Sequence, residues 1–349
     1  MSGVAETAPT AEPAHGPAVR SVSGAVINAV LLAILAVLVV VSLLSGRVWL
    51  SASDVVRGLF SQDAQLASLI VTELRLPRTI LAIAVGATLG ICGAVLQGLT
   101  RNPLAEPGLL GVSAGASLGA SIAIYFGLAA YTTAATPGLG LIGAMAAMAL
   151  TFALGRGGGT LSLVLAGMAV TGFMFALIQL ALNVAPSVQA AYEIMTWLMG
   201  SLADRSWDHV VLVAPFIAVG CTMMAFTGRS LDALSLGEVQ AESLGVDLHR
   251  LRFIALLGTA LAVGAATSVT GTVPFIGLVG PHLVRPFVGY QPSRVLLPAA
   301  LAGAVLLLGA DVATRLIRFG PEMKLGVFTA LLGTPFFFWL VIRLRKTSP

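Results

Sequence analysis

From Gly24 onward the chain alternates between long apolar runs and short polar links. Each run is roughly 20 residues, the length a helix needs to cross the hydrocarbon layer. The pattern predicts helices at about 24–44, 77–99, 109–129, 138–155, 160–184, 209–228, 253–272, 275–289, 295–316 and 325–343. The in-out alternation of membrane β-strands is missing, so the fold class is all-α and polytopic, with about ten crossings. An even number of crossings puts both termini on one side. Lys and Arg are slightly more frequent in the links of that side, which places the termini in the cytoplasm.

Two polar passages interrupt the pattern. Residues 47–74 carry Arg47, Asp54, Arg57, Asp63 and Glu73, with Val55, Val56, Leu59 and Phe60 spaced for a short helix on the membrane surface. The longer passage, Arg229 to Arg252, separates two apolar halves and shares the side of the termini. Within it, Ser235 and Glu238 have the spacing of a capping box, and Gly245 is placed to end the helix they open. Leu236, Val239 and Leu244 fall within an arc of roughly 140°, with Glu238 and Glu242 on the other side. This amphipathic helix outside the bilayer reads as a docking surface for a soluble partner.

Composition sharpens the class. With 57% hydrophobic and 10% charged residues among 349, and a mean hydropathy of +0.97, the chain is neither a soluble globular protein nor a disordered one. Residues 1–23, rich in Ala, Pro, Thr and Glu, read as a disordered tail, and 24–349 as a single membrane domain. The first apolar run is longer than a signal-peptide core and lacks a basic leader, so it is expected to stay as a helix. The net charge of +4 is spread over the links, which leaves no nucleic-acid patch. Cys92 and Cys221 lie in apolar runs and imply no disulfide framework.

The chain also resembles itself at an offset of 178: Ala82, Ala84, Val85, Gly86, Ala87, Gly93, Val95 and Pro103 recur as Ala260, Ala262, Val263, Gly264, Ala265, Gly271, Val273 and Pro281. An odd number of helices between the copies gives two repeats of opposite orientation, a transporter arrangement. Glycines at four-residue spacing, Gly86 and Gly90, then Gly111, Gly115 and Gly119, are expected to bring helices close together. Pro103, Pro107, Pro274, Pro281 and Pro286 break helices in or beside the bilayer, where freed backbone is tolerated only inside protein or along a wet cavity.

Candidate chemistry is sparse. Gly111-Val112-Ser113-Ala114-Gly115 matches the nucleophile-elbow pattern, but that motif needs a strand before the serine and a base nearby, for which His282 is the one intramembrane histidine. Asp311 is an intramembrane carboxylate with Arg315 one helical turn on, a pair that reads as structural or functional, and Arg285 stands near His282. A buried carboxylate chain for ion coupling is absent, which weakens a secondary transporter. No G-x-x-x-x-G-K-[ST] occurs, so ATP-driven work has to come from a partner.

Several long motifs in order resemble the FecCD-type, BtuC-like permeases of ABC importers for iron siderophores, haem or cobalamin. They are LRLPRTILAIAVGATLGICGAVLQGLTRNPLAEPGLLGVSAGASLG at 74–119, WLMGSL at 197–202, SLGEVQAESLGV at 235–246, FIGLVGPHLVR at 275–285, and ADVATR with GVFTALLGTPFFFWL within 310–340. The resemblance implies a type II importer permease in a bacterial cytoplasmic membrane, working with ATPase subunits, a second permease copy or paralogue and an extracytoplasmic binding protein. It implies no enzymatic activity and no cofactor in this chain, and ferric siderophore as the substrate. It further implies ATPase coupling through Ser235, Leu236, Gly237, Glu238, Gln240, Leu244 and Gly245, binding-protein docking through Arg75, Arg78 and Arg315, and a cytoplasmic gate at Thr160, Leu161 and Ser162. Helices five and ten would line the pathway. One departure is Glu322-Met323-Lys324-Leu325-Gly326, where the family often has proline in place of Lys324.

Overall fold

A computed structural model describes residues 23–46, 48–60, 65–317 and 323–347. The expected disordered tail, apart from Ser23, lies outside the described residues, as do Arg47, Asp63, Arg318 and Glu322. Every apolar run forms a helix. In chain order these elements are α1 (Gly24–Leu44), α2 (Ala52–Phe60), α3 (Gln65–Ser68), a π-helical stretch Leu69–Arg75 that continues into α4 (Leu76–Thr100), α5 (Val112–Tyr125), α6 (Ala135–Leu154), α7 (Gly159–Asn183) and α8 (Val188–Leu198). The second half contains α9 (Trp207–Ala225), α10 (Gly228–Leu234), α11 (Glu238–Ser243), α12 (Leu248–Thr270), α13 (Ile276–Val288), α14 (Pro292–Leu316) and α15 (Leu325–Thr347).

Among the described residues, 8 helices are long and apolar enough to cross a membrane. The other two predicted crossings, α5 and α13, are 14 and 13 residues long, about 20 Å at the α-helical rise and short of the roughly 30 Å hydrocarbon layer. Both begin after irregular backbone. A turn of 3-10 helix at Pro107–Leu110 and Gly111 precede α5, and the stretch from Gly271 to Phe275 precedes α13. These are broken helices of the kind the prolines imply, and the breaks are enclosed by neighbouring helices, where freed backbone is tolerated.

Three helices form the centre. In their most apolar windows α4 and α12 are each 78% buried and α14 is 67%, against 11% for α1 and 28% for both α7 and α15. Lipid gives no hydrophobic push between helices, so close approach depends on small residues. A Cβ added at Gly86 would collide with the backbone of Gly303, at Gly90 with that of Ala299, and at Gly93 with that of Gly277. One face of α4 therefore lies directly on α14 and α13. In the other half, Gly258 of α12 meets Gly220 of α9, and Gly264 meets Ala144 of α6.

The repeat shows in the packing. α4 lies on α14 and α13, and their counterparts repeat this, α12 lying on α6 and α5. Ala82–Ala87 and Ala260–Ala265 both sit inside the central helices. Beyond them the offset of 178 is not kept: Gly93 is in mid-helix whereas Gly271 ends α12, and Pro103 lies in a link whereas Pro281 is inside α13. α4 extends farther past the shared motif than α12 does, which shifts the register of everything that follows.

Candidate functional site

The passage from Arg229 to Arg252 folds as α10, the short α11 and the start of α12, all at one end of the bundle. Three of its four carboxylates bond to helix starts, while Glu242 is exposed as expected. Asp232 accepts from the Ser293 backbone N–H at 2.8 Å, the Ser293 hydroxyl at 2.6 Å and Gln291 Nε2 at 2.7 Å, so it satisfies the first turn of α14. Asp247 is the N-cap of α12 and accepts from the Arg250 N–H at 3.0 Å. Glu238 Oε1 accepts from Thr160 Oγ1 at 3.0 Å and from Arg252 Nη2 at 2.9 Å, joining α11 to the first turns of α7 and α12. Burial raises the Glu238 pKa, but the Thr160 and Arg252 hydrogen bonds and the charges of Arg252 and Arg101 outweigh it and hold the carboxyl below its usual range.

The expected capping box does not form. The Ser235 N–H, which the Glu238 side chain would accept from in such a box, already donates to the Leu231 carbonyl at 3.0 Å, and the Ser235 hydroxyl donates to the Asp232 carbonyl at 2.6 Å. The helix starts two residues later, after Gly237 at φ +124°. Gly245 does end it, at φ +85°, with Val246 N–H donating back to the Ala241 carbonyl at 3.0 Å. Small Ala241 faces the bundle and is buried, while Leu236, Val239 and Leu244 face outward with 64%, 71% and 65% of their surface exposed. Glu238 sits on the inner side, contrary to the simple helical-wheel expectation. Gln240 packs back over Gly237. Of the three residues expected to form a gate, Thr160 is engaged by Glu238, Leu161 is exposed and Ser162 lies against Gly158.

At the opposite end of the bundle, Arg75, Arg78 and Arg315 converge on one buried network. Arg78 Nη2 and Arg315 Nη2 each lie 2.8 Å from Asp311, whose side chain is fully buried. Arg315 also donates to the Ser42 hydroxyl at 2.7 Å and to the Ser42 and Ser45 carbonyls, and Ser42 meets Thr79 at 2.7 Å. Arg75 donates to the Leu43 carbonyl and, at 2.6 Å, to that of Val48. Cationic groups thus collect the carbonyls at the end of α1, where the helix dipole favours them. The corner joins α1, α4 and α14, and Asp311 with Arg315 forms the expected i,i+4 pair. The guanidiniums are turned into the protein; Arg75 is only 7% exposed.

The remaining candidates take plain structural roles. Ser113 is in the first turn of α5, after a 3-10 turn rather than a strand, so the nucleophile-elbow geometry is absent. Nε2 of His282 bonds the Pro103 carbonyl at 2.8 Å. Cys92 and Cys221 are free thiols, and no group of potential metal ligands occurs among the described residues. Lys324 lines a cavity of about 440 Å³ together with Glu193, Asp204, Arg205, Tyr192 and Trp197. WLMGSL forms the floor beside it: Ser201 N–H donates to the Thr270 carbonyl at 2.7 Å, and Gly326 N–H to that of Met199 at 3.1 Å. Sequence reasoning missed α8, Asp232 and the clustering of the arginines; the S-x-x-A start of α8, with Ser187 accepting from Ala190 N–H, was its one local signal.

Among the described residues, eight membrane-length helices, two shorter apolar ones that follow broken backbone and a polar segment clipped to one end define a polytopic membrane permease. The FecCD transport family matches residues 34–343, and the chain belongs to that family. It is similar to the hemin transport system permease protein HmuU of Yersinia pestis, 39% identical over 279 residues that cover 78% of this chain and 83% of that one. The iron(3+)-hydroxamate import system permease protein FhuB of Bacillus subtilis is 40% identical, covering 82% and 74%. The vitamin B12 import system permease protein BtuC of Vibrio vulnificus is 37% identical, covering 90% and 94%. A solved structure described as an inward-facing conformation of a metal-chelate type ABC transporter superposes with a TM-score of 0.79 at 30% identity, covering 92% of this chain and 99% of that one. The chain is therefore a transporter permease and not an enzyme.

Proposed function

We propose that the chain is the permease of an ATP-driven importer of ferric siderophores, with both termini and the Arg229–Arg252 segment in the cytoplasm. The observation that carries the coupling assignment is the outward apolar face of Leu236, Val239 and Leu244 on a segment whose Asp232, Glu238 and Asp247 hold the starts of three membrane helices. A partner seated on that face pushes on α7, α12 and α14 together. Without a P-loop in the chain, an ABC ATPase subunit is the partner that supplies the work. A second permease copy, identical or paralogous, covers the poorly buried sides of α7 and α15 and completes the pathway between them.

The arginine corner is where the extracytoplasmic binding protein docks. Arg75, Arg78 and Arg315 act there chiefly by fixing α1, α4 and α14 against one another, which sets the shape presented to the partner. The ferric siderophore reading is supported by relatives named for hydroxamate and citrate complexes of iron, and the mixed aromatic and charged lining of the 440 Å³ cavity suits a polar chelate. Uptake of radiolabelled ferric hydroxamate, hemin and cobalamin by cells that carry this importer alone tests it. Accumulation of the ferric hydroxamate is expected; accumulation of hemin or cobalamin instead moves the substrate within the family.

A further inference from the structure

Glu238 stands apart from the other carboxylates of the segment. Asp247 caps its own helix α12, Asp232 ties α10 to the first turn of α14 through the Ser293 N–H and hydroxyl and the Gln291 side chain, and Glu242 is exposed. Glu238 instead bonds two side chains, Thr160 on α7 and Arg252 on α12, both from outside the short helix that carries it. It is the described hydrogen-bond link from α11 to the start of α7. Thr160 follows the link Gly155-Arg156-Gly157-Gly158-Gly159, in which Gly157 and Gly159 have φ of +85° and +69°. Such positions favour glycine and make the link easy to re-fold. Beside it lies a cavity of about 40 Å³ lined by Arg156, Leu163, His249 and Arg252, so the link is not packed hard against α12.

We infer that the Glu238 carboxylate is the connector through which the coupling segment moves the start of α7. The side chain ties α11 to Thr160 directly, and Arg252 holds the carboxylate in place for that bond. When a partner on the outer face of α11 shifts the segment, Thr160 moves with Glu238, and the glycine link absorbs the change. Glu238 is thus a positioning residue for transport, distinct from the Leu236, Val239 and Leu244 surface that meets the partner. This rests on the proposed docking of an ABC ATPase at that surface.

The test uses the full importer, with the permease, its ATPase and the binding protein. Glu238→Ala, Glu238→Gln, Thr160→Val and their combinations are compared for ATPase co-purification, ATP hydrolysis and uptake. Glu238→Ala is expected to keep ATPase association and to lower uptake per ATP hydrolysed about tenfold, the lower end of the effect of one hydrogen bond to a charged group. Glu238→Gln, which retains an acceptor oxygen, should recover part of it. Thr160→Val should give a similar loss, and adding it to Glu238→Ala should change little more. Independent, multiplying losses overturn the connector. Loss of ATPase association in Glu238→Ala places Glu238 in the docking surface and also overturns it, leaving the functional reading intact. If Leu244→Asp fails to weaken association, it is the docking assignment that falls. Should Glu238→Ala not fold, Thr160→Val alone decides: unchanged uptake per ATP refutes the inference.

Discussion

Replacing Asp311 by asparagine probes the buried corner that joins α1, α4 and α14. The carboxylate is fully buried and takes Arg78 through Nε at 2.9 Å and Nη2 at 2.8 Å, and Arg315 through Nη2 at 2.8 Å. Asparagine has nearly the same shape but no charge, so the change removes the anion from between two guanidiniums and leaves the packing in place. Breaking a buried ion pair from one side costs about 3–5 kcal/mol, because the surviving charge stays desolvated. Against a total folding stability of roughly 5–15 kcal/mol this is a large fraction. Thermal unfolding of the purified permease in detergent, followed by loss of the monodisperse elution peak, should show a melting temperature lower by on the order of 5 °C. Asp311→Asn combined with Arg78→Ala should recover part of that, since one stranded cation is then removed. A melting temperature within about 1 °C of the parent would refute the structural role of the cluster. The arginines would then be free to act by direct contact with a binding protein.

Further outcomes follow from the same geometry. Gly93→Ala places a methyl group into the Gly277 carbonyl, with backbone on both sides, and should cost about 1–3 kcal/mol, seen as a lower melting temperature and less folded protein in the membrane. Leu244→Asp charges an exposed position and should leave stability unchanged within about 0.5 kcal/mol while lowering ATPase co-purification, with binding-protein docking at the opposite end intact. The Glu238 carboxyl is held below its ordinary value of about 4.3, so its contribution is complete above that pH and is lost as the pH falls through the lower folded value. Uptake by reconstituted importer should accordingly show no step from this group between about pH 6 and 8. Ser113→Ala should leave transport unaltered, since the serine lies in a helical first turn without the strand that a nucleophile elbow requires.

The membrane helices were legible because a length of apolar chain is nearly all that a bilayer demands. The four-residue glycine spacing likewise announced which faces meet, and α4 meets α14 through Gly86 and Gly90. The direction in which a charged side chain points was much less legible. Arg75 and Arg78 read as outward contacts, yet the end of α1 offers carbonyls and α14 offers Asp311, and only the three-dimensional meeting of helices far apart in sequence reveals those partners. Glu238 was misplaced for a related reason. A helical wheel assumes that the helix buries its apolar face, whereas α11 buries Ala241 and presents leucine and valine outward, as a segment waiting for a partner does. The capping box failed because α10 runs up to Leu234 and its last turn takes the Ser235 N–H, one of the two donors the box would have served.

The most direct test of the central claim is transport by the purified permease in proteoliposomes, with and without its ATPase, in the presence of the binding protein and ferric hydroxamate. Uptake that requires both the ATPase and ATP, and is lost in Leu244→Asp together with ATPase association, is the predicted result. Uptake by the permease alone, driven by a proton or sodium gradient with no ATPase present, would contradict it.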